Sequence, residues 1–439
     1  MADPARTALL RRLGRRYLST PFWTKLRYRF DRNVHALVRG RGHEHREYCV
    51  ALPQGWGAKK VVVQIGVPPM PGHLPFGFCD HATDQSGNPT RTVTATTTGG
   101  FVISEDLAES WRPVLVSGYR NHAVIHVRGL GHGEFLAQVK PASLKGDRRV
   151  PTDLLVVNDD GQVIASHPGI GPRWHGCRAV DFARGTLMYA EYPANKEGNR
   201  SSSRVFRSRD RGRSWTTVFE QDSKAVRHFH FLQARPGSPG EWWLTSGDEG
   251  PQSKVWVSHD DGDNWHDITS GSPLVIDGVE YPRNIFRLTD LVWSGDEVIW
   301  GADDSLPCLK PPGTRVFRAR DVSLAVPHVV GCMRWPVRSL VDVGNFLMVL
   351  SQGANRRDAT PEESKPSVFL MPKREIDGGP GLIPLFEIDN FGGNPWAGKG
   401  FTYSRASRVA FDGTFFTYRA PYQALPSSQQ ILRWKISFE

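Results

Sequence analysis

The sequence is poor in cysteine, and its few cysteines form no pattern. Five occur among 439 residues, which is an odd number, and no Cys-x-x-Cys pair is present. These features favour free thiols in a reducing compartment over a disulfide framework. An apolar run of transmembrane length and a secretory apolar segment after Met1 are also missing. We therefore expect a cytoplasmic protein.

Common signatures of nucleotide binding and nucleophilic catalysis are missing as well. The sequence has no Gly-x-Ser-x-Gly motif, no P-loop, and no Gly-x-Gly-x-x-Gly motif after a strand-like run. It therefore predicts no cofactor. It also predicts no metal site, because His73, Cys79 and His81 lie close together in sequence but have no visible fourth ligand.

Helical periodicity is absent after residue 48. In its place, 44 Gly and 32 Pro residues separate many short runs in which apolar and polar residues alternate. Alternation is typical of strands with one buried face, and Gly and Pro mark the turns between them. The sequence therefore predicts an all-β fold, and the chain is long enough for a large core of repeated sheets.

One eight-residue string occurs twice, fifty residues apart. Residues 208–215 and 258–265 both read Ser-x-Asp-x-Gly-x-x-Trp, and each follows an alternating run. In such a string the Asp side chain accepts hydrogen bonds from the backbone ahead of it, and Gly permits a positive φ angle. Ser adds a second bond to the backbone, and Trp packs on the next layer. The string predicts a tight hairpin turn within a repeated supersecondary unit.

Weaker copies of the string keep the same spacing along the chain. Their Asp residues recur at intervals of 50 to 61 residues, at Asp106, Asp159, Asp210, Asp260 and Asp321, with a weak sixth copy at Asp377. A four-stranded propeller blade needs about 40–50 residues. Residues 47–439 therefore predict a seven-bladed β-propeller, and a six-bladed one is the alternative if the poorly marked ends share a blade.

Positive charge is concentrated in residues 1–46. They hold 12 of the 55 Lys and Arg residues but only three of the 45 Asp and Glu residues, so the rest of the chain is close to neutral. Residues 5–18 place four apolar side chains on one helical face, with arginines on its flanks. Such a segment binds an anionic membrane surface, packs on the propeller wall, serves as a mitochondrial targeting sequence or stays a disordered tail. We predict a short basic helical arm, with an anionic membrane as its possible partner and no nucleic-acid partner.

The repeated string is similar to the Asp box of the sialidase-like (BNR-repeat) β-propeller superfamily. An ordered series of further motifs resembles a largely uncharacterised bacterial subgroup of exo-sialidase-like and glycosyl-hydrolase-like proteins. These motifs are Glu191-Tyr192, His228-x-His230, Gly247-Asp248, and Arg287 followed by Trp300-Gly-x-Asp303. The resemblance implies a carbohydrate-active propeller with its site in the axial channel. Sialidase activity itself is not expected, because the Phe-Arg-Ile-Pro strand of true sialidases is missing.

Polar residues on the innermost strands are the candidates for that site, because these strands converge on the central channel. In the propeller polysaccharide lyases that these motifs resemble, a His or Tyr removes the proton next to a uronate carboxylate, and an Arg or a second His neutralises the carboxylate. The candidates for catalysis are His228, His230, Tyr192, Glu191 and Arg287. The candidates for substrate binding are Asn195, Arg227, Asp248, Glu249 and Asp303.

Acidic residues within this set leave a second chemistry open, because two of them would supply the carboxylate pair of a glycosidase. We therefore predict an enzyme, either a lyase or a glycosidase, that binds an acidic glycan and cleaves a glycosidic bond in bacterial surface-polysaccharide metabolism. The basic arm would hold it at the inner face of the cytoplasmic membrane. The alternatives are a non-catalytic propeller that binds a glycan or a protein, and an enzyme that transfers sugar to a lipid-linked oligosaccharide.

Overall fold

The computed structural model describes residues 45–66, 75–83, 89–96, 99–144, 151–171, 179–192, 202–270, 274–276, 278–304, 313–321, 323–324, 326–352, 366–375, 381–387, 401–404, 413–421 and 430–439. Within these ranges the chain forms β-strands and three short 3-10 helices, but no α-helix. Nothing helical in this part of the chain has the length and apolar character needed to cross a membrane. The predicted basic arm lies almost wholly outside the described residues.

The strands follow one another along the whole described chain. In order they are β1 (His45–Ala51), β2 (Lys60–Gly66), β3 (Pro75–Thr83), β4 (Pro89–Thr96), β5 (Gly100–Ser104), β6 (Arg112–Leu115), β7 (His122–Gly131), β8 (Glu134–Pro141), β9 (Thr152–Asn158), β10 (Val163–Gly171), β11 (Val180–Ala183), β12 (Thr186–Ala190), β13 (Ser202–Ser208), β14 (Thr216–Asp222), β15 (Phe229–Ala234), β16 (Trp242–Ser246), β17 (Val255–Ser258), β18 (His266–Asp267), β19 (Leu274–Ile276), β20 (Val279–Tyr281), β21 (Leu288–Ser294), β22 (Glu297–Ala302), β23 (Thr314–Ala319), β24 (Pro327–Met333), β25 (Val337–Val343), β26 (Phe346–Ser351), β27 (Ser367–Pro372), β28 (Ile383–Glu387), β29 (Phe401–Ser404), β30 (Thr414–Pro421) and β31 (Gln430–Phe438). The 3-10 helices are Ala142–Leu144, Gly250–Gln252 and Arg283–Phe286.

Seven antiparallel sheets form the blades of a β-propeller. Six blades each use four consecutive strands, namely β3–β6, β7–β10, β11–β14, β15–β18, β21–β24 and β25–β28. The seventh has the order β1-β2-β31-β30-β29, so segments from both ends of the chain close the ring. At this seam Val61 lies opposite Phe438, and Gly66 lies opposite Arg433. The prediction of seven blades is therefore confirmed, and the six-bladed alternative is wrong.

The core lies between neighbouring blades. Trp243 of β16 and Trp300 of β22 are fully buried in one cluster, which joins the blade β15–β18 to the blade β21–β24. Phe231 and Phe317 extend the same cluster. A buried aromatic side chain removes a large apolar area from water, so each sheet stabilises the next. This explains why alternating strands of moderate length are stable only as members of the ring.

The repeated string forms the same turn in three blades, between the third and fourth strands. In residues 208–215, Ser208 Oγ donates to Asp210 Oδ1 over 2.7 Å, and Ser214 N–H donates to the same oxygen over 2.8 Å. The equivalent backbone bonds to Asp106 and Asp260 are also 2.8 Å long. Partial burial raises the pKa of Asp210, but the hydrogen bonds from the two serines and the backbone outweigh it and lower the pKa to about 2. The turn predicted for the two complete strings is confirmed.

This turn requires two successive residues with positive φ. The pair is Arg211 and Gly212 in one complete copy, with φ of 60° and 87°. In the weaker copy around Asp106 the pair is Leu107 and Ala108, with φ of 54° and 71°. An alanine there adopts the left-handed conformation that the complete copies give to glycine.

The other copies form different turns at the same place in their blades. Asn158 precedes Asp159, and its Oδ1 accepts the backbone N–H groups of Asp160 and Gln162. Asp321 accepts the N–H of Ser323 over 2.8 Å. The sixth copy, at Asp377, lies outside the described residues. The spacing of the Asp positions therefore marked blades even where the turn itself differs.

Candidate functional site

The innermost strands of three successive blades are irregular at the end where most of the predicted site residues lie. The pairing of β15 with β16 shifts at His230, and that of β25 with β26 shifts at Arg338. In β21 the shift falls at Thr289 and Asp290. A bulge adds one residue to a strand and changes the direction of its side chains. These bulges therefore bring polar side chains to the hub from strands that are otherwise apolar.

Asp248 reaches the same region from the loop that follows β16. The preceding Gly247 has a φ of 147°, which favours glycine. A Cβ atom on Gly247 would lie 2.9 Å from Ser253 Oγ and 3.3 Å from Arg287 Cγ. The Gly-Asp pair is therefore a turn that also lets the Arg287 side chain pass close to the loop.

Asp248 is the charged centre of the cluster. Its Oδ2 lies 2.5 Å from Arg227 Nη1, and its Oδ1 lies 3.2 Å from Arg287 Nη2. Burial raises the pKa of Asp248, but the hydrogen bond from His228 and the charges of the two arginines outweigh it and lower the pKa to about 2. Asp248 is therefore ionised at neutral pH and holds both guanidinium groups in place.

His228, immediately before β15, and His230, within it, lie on the same side of the chain, as alternation along an extended segment predicts. Their Nε2 atoms are 2.9 Å apart. They lie 3.5 Å and 3.9 Å from the oxygens of Asp248. The side chains are only 3% and 2% exposed. Burial lowers the pKa of His228, as do the charges of Arg227 and Arg287, although Asp248 opposes them, so the ring is neutral at pH 7.

Tyr192 covers this histidine pair. Its ring centroid is 3.9 Å from that of His228 and 6.0 Å from that of His230. The backbone N–H of Phe229 donates to the carbonyl of Glu191 over 3.2 Å, which fixes the start of β15 beside the end of β12. Tyr192 is half-buried, so its ring has one side on the histidines and another towards solvent.

Arg287 connects the cluster to a second ion pair. Its Nε lies 3.8 Å from Asp303 Oδ2, and the same oxygen lies 2.5 Å from Arg338 Nη1. Burial lowers the pKa of Arg287, but the negative charges around it, first that of Asp303, then those of Asp248 and Asp304, raise it overall. The structure therefore places both predicted aspartates, Tyr192 and Arg287 in one network.

Arg338 belongs to this network but was not among the predicted residues. Its Nε donates to Gln352 Oε1 over 2.7 Å, and its side chain is 14% exposed. It is the second residue of its inner strand, whereas Arg287 stands one residue and Arg227 two residues before the start of theirs. An arginine recurring at the blade interval was the signal in the sequence that would have found it.

Two predicted residues that the structure describes do not join the cluster. Glu191 is fully buried and binds Arg204 through both carboxylate oxygens, at 2.9 Å and 3.2 Å. It also accepts the backbone N–H of Arg204 over 3.0 Å, so in this geometry it anchors β13 to β12. Glu249 begins the 3-10 helix Gly250–Gln252, and its side chain is exposed. Asn195 lies outside the described residues. Of the three residues considered for a metal site in the sequence, His73 also lies outside the described residues. Only the backbone is described for Cys79 and His81.

The cluster has more positive than negative charge. Arg227, Arg287 and Arg338 stand against Asp248 and Asp303, and the three guanidinium groups are 27%, 24% and 14% exposed. Exposed guanidinium groups offer planar pairs of donors to an anion. The neighbouring imidazole and phenol groups are of the type that transfers protons. The arrangement is therefore suited to an anionic ligand.

Comparison with known proteins shows the fold. No protein-family model and no curated protein matches the chain. Among solved structures, YCF48 from Cyanidioschyzon merolae is 12% identical with a TM-score of 0.50, over 84% of this chain and 98% of that one. YCF48 bound to D1 peptide is 12% identical with a TM-score of 0.49, over 88% and 99%. An ancestral GH74 enzyme is 16% identical with a TM-score of 0.49, over 83% and 47%. The chain is thus a β-propeller protein, and its place in the sialidase-like superfamily stays a prediction.

Proposed function

We propose that this protein is a carbohydrate-active propeller that binds an acidic glycan at its hub and cleaves it by elimination next to a uronate carboxylate. The observation that carries the proposal is the convergence of Arg227 and Arg287 on Asp248, beside Tyr192 and His228. Arginines recognise carboxylates through paired hydrogen bonds, and phenol or imidazole groups move the proton. The groups suited to carboxylate binding and those suited to proton transfer therefore lie within one cluster.

The two arginines provide the binding step. Because Asp248 holds both guanidinium groups at its own carboxylate, their remaining N–H donors are fixed in direction before a ligand arrives. A uronate carboxylate in front of them would accept charge-assisted hydrogen bonds. Those bonds become stronger as negative charge builds up on the carboxylate during proton removal. Arg227 and Arg287 would therefore stabilise the transition state more than the bound substrate.

Tyr192 is the group that we assign to proton transfer. The Nε2 atoms of His228 and His230 are directed at each other and at Asp248, and both side chains are almost fully buried. Tyr192 is half-buried, and its ring lies against that of His228 with the centroids 3.9 Å apart. It is thus the proton-transfer group of the cluster that a bound glycan reaches most directly.

Ion pairing favours elimination over hydrolysis. Glycoside hydrolysis requires two carboxyl groups about 5–9.5 Å apart, one of which donates a proton. Asp248 and Asp303 are each held by two arginines, and Glu191 is held by Arg204. The pKa of Asp248 is lowered to about 2, so its carboxylate is a poor proton donor. Burial raises the pKa of Asp303, but the side chain is only 3% exposed, so a glycan does not reach it directly. An eliminative mechanism needs a base that removes the proton next to the carboxylate and groups that neutralise that carboxylate. The C=C bond forms as the glycosidic C–O bond breaks, and the removed proton then passes from the same base, or from water, to the departing oxygen.

The test is turnover of a panel of uronate-containing polysaccharides by the full chain, followed by the ultraviolet absorbance of the unsaturated uronate product. We expect Tyr192→Phe to lower kcat at least about 100-fold, as loss of an acid–base group does. Arg287→Gln should lower kcat and raise KM. The control is Arg209→Gln, because Arg209 lies in a turn far from the hub and is 58% exposed. Its kinetics should match those of the wild type.

Two outcomes would overturn this mechanism. New reducing ends without new absorbance would mean hydrolysis. Glycan binding without any turnover, unchanged in Tyr192→Phe, would mean a non-catalytic binding propeller.

Membrane association is tested separately by deleting residues 1–44, which precede β1. We propose that the deletion abolishes binding to vesicles with anionic lipid, and equal binding would exclude that role.

A further inference from the structure

Three potential metal ligands meet at the hub. The Nε2 atoms of His228 and His230 and the carboxylate of Asp248 all lie within 4.8 Å of one another. The separations are 2.9 Å between the two nitrogens, and 3.5 Å and 3.9 Å from them to the carboxylate oxygens. Two ligands that each stand about 2.0–2.2 Å from a single ion are themselves about 3–3.5 Å apart. The three side chains therefore stand nearly at the spacing that one ion requires.

The chemistry of the three groups is also that of a metal site. Imidazole nitrogen together with a carboxylate oxygen suits zinc and the neighbouring first-row transition metals. Both histidines are almost fully buried and lie two residues apart at the start of β15, so little ordering is needed when an ion binds. The ring of Tyr192 lies at a tilt against that of His228, with the centroids 3.9 Å apart.

Asp248 retains capacity for an ion despite its two arginine partners. A carboxylate has about four lone-pair positions on its two oxygens. Arg227 uses one position on Oδ2, and Arg287 uses one on Oδ1. The histidine nitrogens approach the same two oxygens, at 3.5 Å and 3.9 Å. An ion between them would take the positions that remain.

We propose that His228, His230 and Asp248 together bind one divalent transition-metal ion of the zinc class. Three protein ligands leave at least one coordination position open, which is the pattern of sites that bind a water molecule or a substrate oxygen. The open position adjoins Arg227 and Arg287, so an anionic oxygen is its natural occupant. The metal site shares His228 and Asp248 with the cluster proposed to bind a glycan, but zinc binding is measured without any glycan, so either proposal can fail while the other stands.

The test measures zinc binding by tag-free full-length protein from which metal has been removed with a chelator. Competition with a chromophoric chelator should give one zinc ion per chain. His228→Ala, His230→Ala and Asp248→Asn should each weaken binding at least about 100-fold, because loss of even an outer-shell partner costs about 10–100-fold. The matched control is His266→Ala. His266 is an exposed histidine on β18 of the same blade, and its loss should leave zinc binding unchanged.

A further variant should change the zinc affinity in the opposite direction. Arg227→Gln removes a positive charge 2.5 Å from Asp248 Oδ2 and should strengthen zinc binding about tenfold, since a neighbouring unit charge opposes a divalent ion even in a polar surrounding. If the cluster were only a set of structural ion pairs, Arg227→Gln would not strengthen zinc binding. Unchanged or weaker binding in this variant would contradict the site.

X-ray absorption of the wild-type zinc complex keeps the proposal testable if the histidine variants do not fold. Two imidazole nitrogens should appear in the first shell of the ion. Absence of stoichiometric zinc and cobalt binding would overturn the proposal and leave a hydrogen bond between His228 and His230 as the reason for their contact. Equal zinc binding by the double variant His228→Ala/His230→Ala would place the ion elsewhere and would also overturn it.

Discussion

Replacing Gly212 with alanine tests the turn that recurs around the ring. Gly212 has a φ of 87°, and a Cβ atom would lie 2.9 Å from Val156 Cγ2 and 3.4 Å from Leu187 Cδ2. The left-handed conformation costs an alanine about 1–2 kcal/mol, and an extra methyl in a packed contact costs about 1–3 kcal/mol. Reduced freedom of the unfolded chain offsets about 0.4–1 kcal/mol of this. Gly212→Ala should therefore lower the free energy of unfolding by about 3 kcal/mol.

The reverse change at the equivalent position should have almost no effect. Ala108 has a φ of 71°, so Ala108→Gly relieves about 1–2 kcal/mol of backbone strain. The buried methyl group of Ala108 is lost, at about 0.8 kcal/mol, and the unfolded chain gains freedom worth about 0.4–1 kcal/mol. These contributions cancel to within about 0.5 kcal/mol.

Urea unfolding followed by tryptophan fluorescence measures both variants against the wild type. The slope of the free energy against urea should be the same for all three, so the difference appears in the midpoint. The asymmetry between the two positions is the essential result. A loss smaller than about 0.5 kcal/mol for Gly212→Ala, or equal losses for both variants, would refute the reasoning from φ and packing.

Three further changes test other parts of the structure. Glu191→Gln leaves Arg204 without its anionic partner. Because Arg204 is 32% exposed, we expect the free energy of unfolding in urea to fall by about 2 kcal/mol, which is less than for a fully buried pair. An unchanged urea midpoint would contradict this. Asp210 has its pKa lowered to about 2 from an ordinary value of 3.8, so its stabilising contribution is complete above the unfolded pKa and is lost as the pH falls towards 2. Asp210→Asn should flatten the stability profile between these pH values, and identical profiles would exclude the effect. Gly247→Ala introduces backbone strain at a φ of 147° and places a methyl group 3.3 Å from Arg287 Cγ. We expect calorimetry to show about tenfold weaker binding of an acidic glycan. Unaltered affinity would mean that the loop does not position the arginine.

Features that depend on local pattern were predictable from the sequence. The turn around Asp210 follows from four side chains within eight residues, and the blade count follows from the spacing of such turns. The contact between His228 and His230 follows from alternation along one strand. Each of these needs no knowledge of which blades become neighbours.

Features that depend on neighbouring blades were not predictable in the same way. The pairing of Asp303 with Arg338 joins two blades, and it is set by a bulge at Arg338 that the sequence does not mark. The separation of Glu191 from Tyr192 is different, because adjacent residues on extended chain point in opposite directions. Alternation alone therefore indicated that only one of these two could enter the cluster.

The seam of the seventh blade has a consequence for how the molecule is made. β2 ends at Gly66, but its partner β31 begins only at Gln430, so the ribosome must synthesise six further blades before the two strands can meet. Throughout that time the open edge of β2 is available to other strands, and an unpaired edge is a template for aggregation. Synthesis of β31 is thus the event that converts a row of sheets into a closed ring with that edge protected.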